Sequence, residues 1–191
     1  MKVFALGCVL LTGAVGCSAV DYRYHLRGYD SSQESAVKRI AVVSWAPAEH
    51  LDLGPVLSSV ATDRIKLVNS YLVHHSGPAD RGWLSACGQL EGVLVLRALD
   101  VQKEAKNVAL RILAGLYDCR DGALLWQVEG SGGSAIANPD LQNLVEQYTA
   151  KLGEGAAVYV SATFVVLKEL LESIPEPVLS DDEIMEKIEL D

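Results

Sequence analysis

Positive charge is scarce in this chain: 16 lysines and arginines stand against 25 aspartates and glutamates, for a net charge of −9. A chain this acidic, with no dense Lys/Arg stripe, is excluded as a nucleic-acid binder. It is also repelled by anionic lipid surfaces, so membrane attachment has to come from something other than a basic patch. Long apolar runs are missing as well. Past the first sixteen residues the longest uncharged apolar stretch is Gly155–Leu167, too short for a transmembrane helix. There is no internal repeat and no low-complexity segment, and a hydrophobic content of 50% excludes a disordered chain.

The motifs of common chemistries are absent too. Gly130-Ser131-Gly132-Gly133-Ser134 lacks the Lys-Ser/Thr that completes a phosphate loop, and it is no G-x-S-x-G nucleophile elbow. It reads as a flexible connector. His74-His75 lies in a short strand, where neighbours point to opposite faces and do not easily chelate one ion. One packed and one solvated histidine is the expectation, with no metal and no cofactor. The acidic segment Asp181, Asp182, Glu183, Glu186, Glu189 lacks the spacing and turn glycine of a calcium loop.

What is present begins at the N-terminus. Lys2 precedes an uncharged apolar run, Val3 to Gly16, which suits a secretory signal. The run ends in Ala14-Val15-Gly16-Cys17, which resembles a bacterial lipoprotein cleavage box. Small residues admit a peptidase to the backbone, and the Cys17 thiol is the nucleophile that takes a diacylglycerol. Cys8 also follows a glycine, but only a short stretch precedes it. The expectation is a signal peptide over residues 1–16 and a lipid on Cys17. Processing removes one positive charge, so the remainder is one unit more acidic. Ser18, which is not Asp, resembles an outer-membrane address on the periplasmic face. Cys87 and Cys119 remain, and an even pair in an oxidising compartment reads as a disulfide. Two buried free thiols are the alternative.

Ser18–Val37 is polar and aperiodic, and residues 17–37 read as a lipidated N-terminus and tether, with packing of Tyr22, Tyr24 and Tyr29 on the domain, which would order part of it, as the alternative. Residues 38–191 read as one α/β domain with a C-terminal helical tail. Arg39–Trp45 is β-branched and nearly continuously apolar, the look of a buried strand that Pro47 stops. A helix follows from Leu53-Gly54-Pro55 to about Asn69. Tyr71–His74 is a second strand, His75-Ser76-Gly77-Pro78 breaks the chain, and Ala79–Cys87 reads as a short helix carrying Trp83 inward. Gly92–Val101, Asn107–Asp118 and Ala123–Gly130 make an antiparallel meander, with Asp121-Gly122 as its second turn. Pairing Gln102 with Asn107 puts Cys119 opposite Leu90, close to Cys87. Helices are expected from Pro139 to about Leu152, then from beyond Gly155 to Ile174, the second with enough β-branched residues to leave a strand open for its first half. Ser180-Asp181-Asp182-Glu183 is a capping-box pattern that opens a last helix. The class is α/β: a mixed sheet with a βαβ start, a three-strand meander and C-terminal helices.

Three stretches carry a family likeness. Arg39-Ile40-Ala41-Val42-Val43 is similar to an opening strand, and Gly92-Val93-Leu94-Val95 to a central strand. Tyr117–Trp126 is similar to a strand, turn and Leu-Trp continuation. Behind a lipoprotein signal, these resemble bacterial envelope lipoproteins with a TolB-N-terminal-like, anticodon-binding-like α/β domain. That group takes in curli-secretion channel subunits and penicillin-binding-protein activators. The resemblance spans roughly residues 38–174 and implies the fold more than an activity. The reading is a non-enzymatic, lipid-anchored periplasmic module that binds an envelope protein in export or cell-wall assembly, with a second copy of the chain left open as a partner. The alternatives are an envelope hydrolase whose site leaves no sequence pattern and a subunit of a secretion pore. Ile184, Met185, Ile188 and Leu190 mark an apolar stripe for a partner on the last helix.

Overall fold

In a computed structural model, residues 17–33, 35–79, 87–88 and 90–190 are described. The strands are β1 Cys17–His25, β2 Arg39–Trp45, β3 Leu72–Pro78, β4 Gly92–Lys103, β5 Asn107–Asp118 and β6 Leu124–Ala135. The helices are α1 Leu53–Val68, α2 Gln142–Leu152, α3 Glu154–Leu171 and α4 Asp181–Leu190. One six-stranded sheet runs in the order β1-β6-β5-β4-β2-β3. β2 pairs in parallel with both β3 and β4, while β4, β5, β6 and β1 pair antiparallel. The chain is therefore α/β with a mixed sheet, a βαβ start, a meander and C-terminal helices.

Alternation sorts the strand side chains onto two faces. Ile40 and Val42 of β2, Leu94 and Leu96 of β4, Ile112, Ala114 and Leu116 of β5, and Trp126 and Val128 of β6 face α1 and α3. Those helices supply Leu57, Val60, Ala61 and Ile65, then Val160, Val166, Leu167 and Leu171. The first half of α3 is helix despite its β-branched content, because its apolar residues recur at helical spacing and bury against the sheet. On the opposite face Ala41, Val43, Val93 and Val95 form a smaller cluster with Cys87, Leu90, Tyr117 and Cys119. Beyond it that face is open, with Tyr22, Arg97, Ala109 and Arg111 exposed.

Four expectations are corrected. The tether is not free chain from its start: Cys17–His25 is an edge strand, β1, on β6. Gly130–Ser134 is not a connector but part of the second half of β6, paired with β5 throughout and with β1 as far as Gly133. The break at His75–Pro78 is the continuation of β3 along β2, where an edge position tolerates Pro78. The β4–β5 register differs as well. Lys103 lies opposite Val108 and Gln102 opposite Ala109, and an irregularity between Ala98 and Asp100 moves the pairing by one residue, which sets Leu94 opposite Leu116. Cys119 consequently meets Glu91, its N–H donating to the Glu91 carbonyl at 2.9 Å. The short helix expected around Trp83 lies outside the described residues.

β1 and β6 approach closely because β6 carries almost no side chains there. A Cβ on Gly130 would sit 2.5 Å from the Ala19 carbonyl oxygen and 2.7 Å from Leu170 Cδ2. Gly130→Ala is expected to destabilise the fold by about 1–3 kcal/mol in urea denaturation. In hydrogen exchange it should deprotect β1 selectively, and unchanged β1 protection would count against this packing.

Candidate functional site

Cys17 is the first residue of β1, and its backbone stands opposite Gly133. The residue expected to carry a lipid is thus part of the sheet and not the end of a loose arm. Cys87 and Cys119 are joined by a disulfide with Cα atoms 5.6 Å apart across a separation of 32 residues. The bridge ties the approach to β4 onto the end of β5. Next to it, Asp118 accepts from Arg120, Nε at 3.0 Å and Nη2 at 2.5 Å. The Arg120 guanidinium holds the Asp118 carboxyl below its ordinary value against the opposing effect of burial.

At the N-terminal ends of β2 and β3 lies the densest charge cluster. α4 docks there through Glu183, Glu186 and Lys187. The Lys38 ammonium, on a residue only 5% exposed, donates to Glu183 Oε2 at 2.9 Å. Arg39 binds Glu186 through Nε at 3.1 Å and Nη2 at 2.6 Å, and reaches Glu91 at 3.1 Å. His74 Nε2 stands 3.0 Å from Glu186 Oε1. Lys187 donates to the Asn69 carbonyl and Lys66 to the Leu190 carbonyl. The capping box closes, the Ser180 N–H donating to Glu183 at 2.7 Å and the Glu183 N–H to Ser180 Oγ at 3.4 Å. The histidine pair is corrected here: both residues are exposed, and His74 belongs to this cluster. The register of β3 on β2 slips at His74, with Ile40 opposite Val73 and Ala41 opposite His75, which breaks simple alternation.

The apolar residues of α4 point the other way. Ile184, Met185 and Ile188 are 46%, 59% and 64% exposed, and no residue of the helix is buried. Successive residues turn by about 100° around a helix. Ile184, Ile188 and Met185 therefore share one stripe opposite Glu183, Glu186 and Lys187, bordered by Asp182 and Glu189. The sequence marked the stripe, except that Leu190, which it included, falls on the docked side and is partly buried. It did not show that the polar face would be the docked one, because Lys38, Arg39 and His74 come from far along the chain.

A crevice of about 690 Å³ opens at the C-terminal ends of β2 and β3, beside the start of α1. Ser44, Trp45, Leu51, Gly54, Pro78 and Ala79 line it, and Ser44 Oγ donates to the Gly54 carbonyl at 2.6 Å. Its position follows from β2 having parallel neighbours on both sides, the arrangement that leaves such a crevice in open α/β sheets. Sequence reasoning did not single it out, since it depends on strand order. Among the described residues no group of three or more His, Cys, Asp or Glu side chains is placed to hold a metal ion. The long β4–β5 hairpin is paired into the sheet on both outer edges, to β2 and to β6.

Two outcomes follow. Desolvation pushes the Glu183 carboxyl up, but hydrogen bonds from Ser180 and Lys38 outweigh it and leave it lowered; the Arg39 hydrogen bonds lower Glu186. Groups lowered in the folded state support docking above their ordinary value of 4.5 and withdraw that support as pH falls below it. Hydrogen exchange at the α4 amides should therefore lose protection on acidification before the sheet does, while simultaneous loss would show that the carboxylates do not hold the helix. Replacing Cys87 and Cys119 together by serine should cost about 3–4 kcal/mol in urea denaturation, as a closed loop of this length implies.

No protein-family model matches the chain, and no curated protein matches it. Solved structures with a likeness include the PelC dodecamer from Paraburkholderia phytofirmans, at 15% identity over 80% of this chain and 99% of that one, with a TM-score of 0.47. Lipoprotein GNA1162 from Neisseria meningitidis shares 17% identity over 60% of this chain and 96% of that one, with a TM-score of 0.40. The hypothetical protein CT253 from Chlamydia trachomatis shares 12% over 71% and 94%, with a TM-score of 0.48. At these identities and scores the likeness extends no activity, partner or assembly to this chain.

Proposed function

We propose that this protein is a lipid-anchored interaction module of the bacterial envelope, held on the periplasmic face of the outer membrane through Cys17 and offering α4 to a protein partner. The small-residue box ending in Cys17 supports the anchor, and the cysteine pair suits an oxidising compartment. The observation that carries the partner is the orientation of α4. Surface helices bury their apolar stripe; this one binds the domain by ion pairs and leaves Ile184, Met185 and Ile188 in solvent. Asp182 and Glu189 run along one side of that stripe, so the complement is a cationic amphipathic segment of an envelope protein, its apolar side on the isoleucines and its lysines or arginines on the carboxylates.

Cys17→Ala should move the protein from the detergent phase to the aqueous phase, and unchanged partitioning would sink the anchor. A benzophenone amino acid at Met185 should crosslink in cells to a protein carrying such a segment. Ile188→Asp should abolish that adduct while changing stability by no more than about 0.5 kcal/mol, as an exposed position allows. An adduct that survives Ile188→Asp, or one formed only with a second copy of this chain, would overturn the assigned partner.

A further inference from the structure

The register of β1 fixes where an anchored domain touches its membrane. Cys17 stands opposite Gly133, Gly133 opposite Ala109, and Ala109 opposite Gln102, so the four residues form one row across the sheet. The β4–β5 hairpin continues past this row. Lys103, Glu104, Ala105 and Lys106 are all exposed there, the Lys103 ammonium 5.8 Å from the centre of the Tyr159 ring, and the Glu104 N–H closes the turn on the Asn107 carbonyl at 2.9 Å. The Ile136 N–H donates to the Lys106 carbonyl at 2.9 Å, which ties the chain after β6 to the same tip. At about 3.4 Å per residue, the tip reaches about 10 Å beyond the Cys17 row.

Resting on the proposed lipidation of Cys17, we infer that the β4–β5 tip is a second membrane contact, with Lys103 and Lys106 seated among the anionic headgroups of the bilayer that holds the lipid. A lipid on Cys17 leaves no tether, because the strand begins at that residue. Three strand spacings of about 4.8 Å separate β1 from β4, so the tip lies about 14 Å to the side of the anchor. The headgroup layer on one leaflet is only about 5–8 Å thick, less than the overshoot of the tip. The charged tip does not enter hydrocarbon. The domain therefore leans, with Cys17 at the glycerol level and the two lysines among the phosphates.

Asp100 and Glu104 stay exposed beside the two lysines, whereas the carboxylates of α4 lie at the far end of the sheet. α4 and its carboxylates dock on Lys38 and Arg39 at the opposite end of the sheet. The Arg39 carbonyl accepts from Glu91, and the Glu91 carbonyl from Cys119, ten residues along β5 from Ala109. That is about 30 Å at the strand rise. Over a Debye length of about 8 Å, the acidic helix is screened from the bilayer while the two lysines are not. The same geometry directs the apolar stripe of α4 into the periplasm.

The test uses lipidated protein purified from envelopes and reconstituted in vesicles of phosphatidylethanolamine and phosphatidylglycerol. With Cys17 acylated and Cys87 bridged to Cys119, Ala105→Cys supplies a free thiol for the environment-sensitive fluorophore NBD and leaves both lysines in place. Glu189→Cys, on α4, is the control. The expected result is a blue-shifted emission at position 105 that doxyl-labelled lipids quench, with a water-like, unquenched emission at position 189. Vesicles that float with the protein while both positions stay water-like would overturn the contact and leave the anchor standing. Blue shifts at both positions would overturn the orientation. Protein that fails to float would overturn the lipidation of Cys17 and the contact with it.

Discussion

The architecture on the side of Cys17 depends on one strand with almost no side chains. Between Gly130 and Gly133, β6 carries only one serine hydroxymethyl group, and it is hydrogen-bonded along both edges. Backbone pairing compensates for the missing apolar contacts, and the absent Cβ atoms let Ala19 and Leu170 come close. Without that seam β1 has nothing to pair with, and Cys17 would begin a loose arm. With it, the N-terminal segment is an edge strand of a six-stranded sheet, and Cys17, the proposed lipid site, begins that strand.

That constraint gives the sheet two unlike ends. One holds Cys17, the β4–β5 tip and the crevice beside α1. The other holds the disulfide, the Asp118–Arg120 pair and α4 on its ion pairs. α4 is the more unusual element. Its docking depends on a nearly buried lysine and an arginine that compete with solvent for Glu183 and Glu186, and the capping box places Glu183 for that contact. Surface ion pairs alone contribute little. A partly buried set shared among Lys38, Arg39, Glu91, Glu183 and Glu186 is less exposed to screening, and it frees the apolar stripe for another surface.

Much of the fold was legible because its cues are local. Arg39–Trp45 reads as a buried strand, Pro55 opens α1, and Asp121-Gly122 turns the meander. Ser180 and Glu183 start α4 where the capping pattern says they should. The misses share a cause. Cys17–His25 and Gly130–Ala135 are poor strands by composition, and each is a strand only because the other, or β5, supplies its hydrogen bonds. His75–Pro78 extends β3 because β2 lies alongside it. The β4–β5 turn sets Gln102 opposite Ala109 and not Asn107, and an irregularity near Leu99 that no turn motif announces takes back one residue of that shift. Of the candidate site, the apolar stripe on α4 was readable from spacing, whereas its exposure was not, because the basic residues that turn it outward precede it by more than a hundred positions.

The sequence by itself determined the elements whose signal lies within a few residues: the cleavage-box resemblance at Cys17, the apolar periods of α1 and α3, the turns and caps, and an acidity with no dense Lys/Arg stripe. Tertiary structure alone decided that Cys17 starts a strand, that a glycine-rich segment is a sheet interior, and that α4 turns its charges inward. Those outcomes rest on hydrogen bonds and ion pairs between distant segments. A local pattern records what a residue prefers and carries no information about which distant backbone or charge will satisfy it.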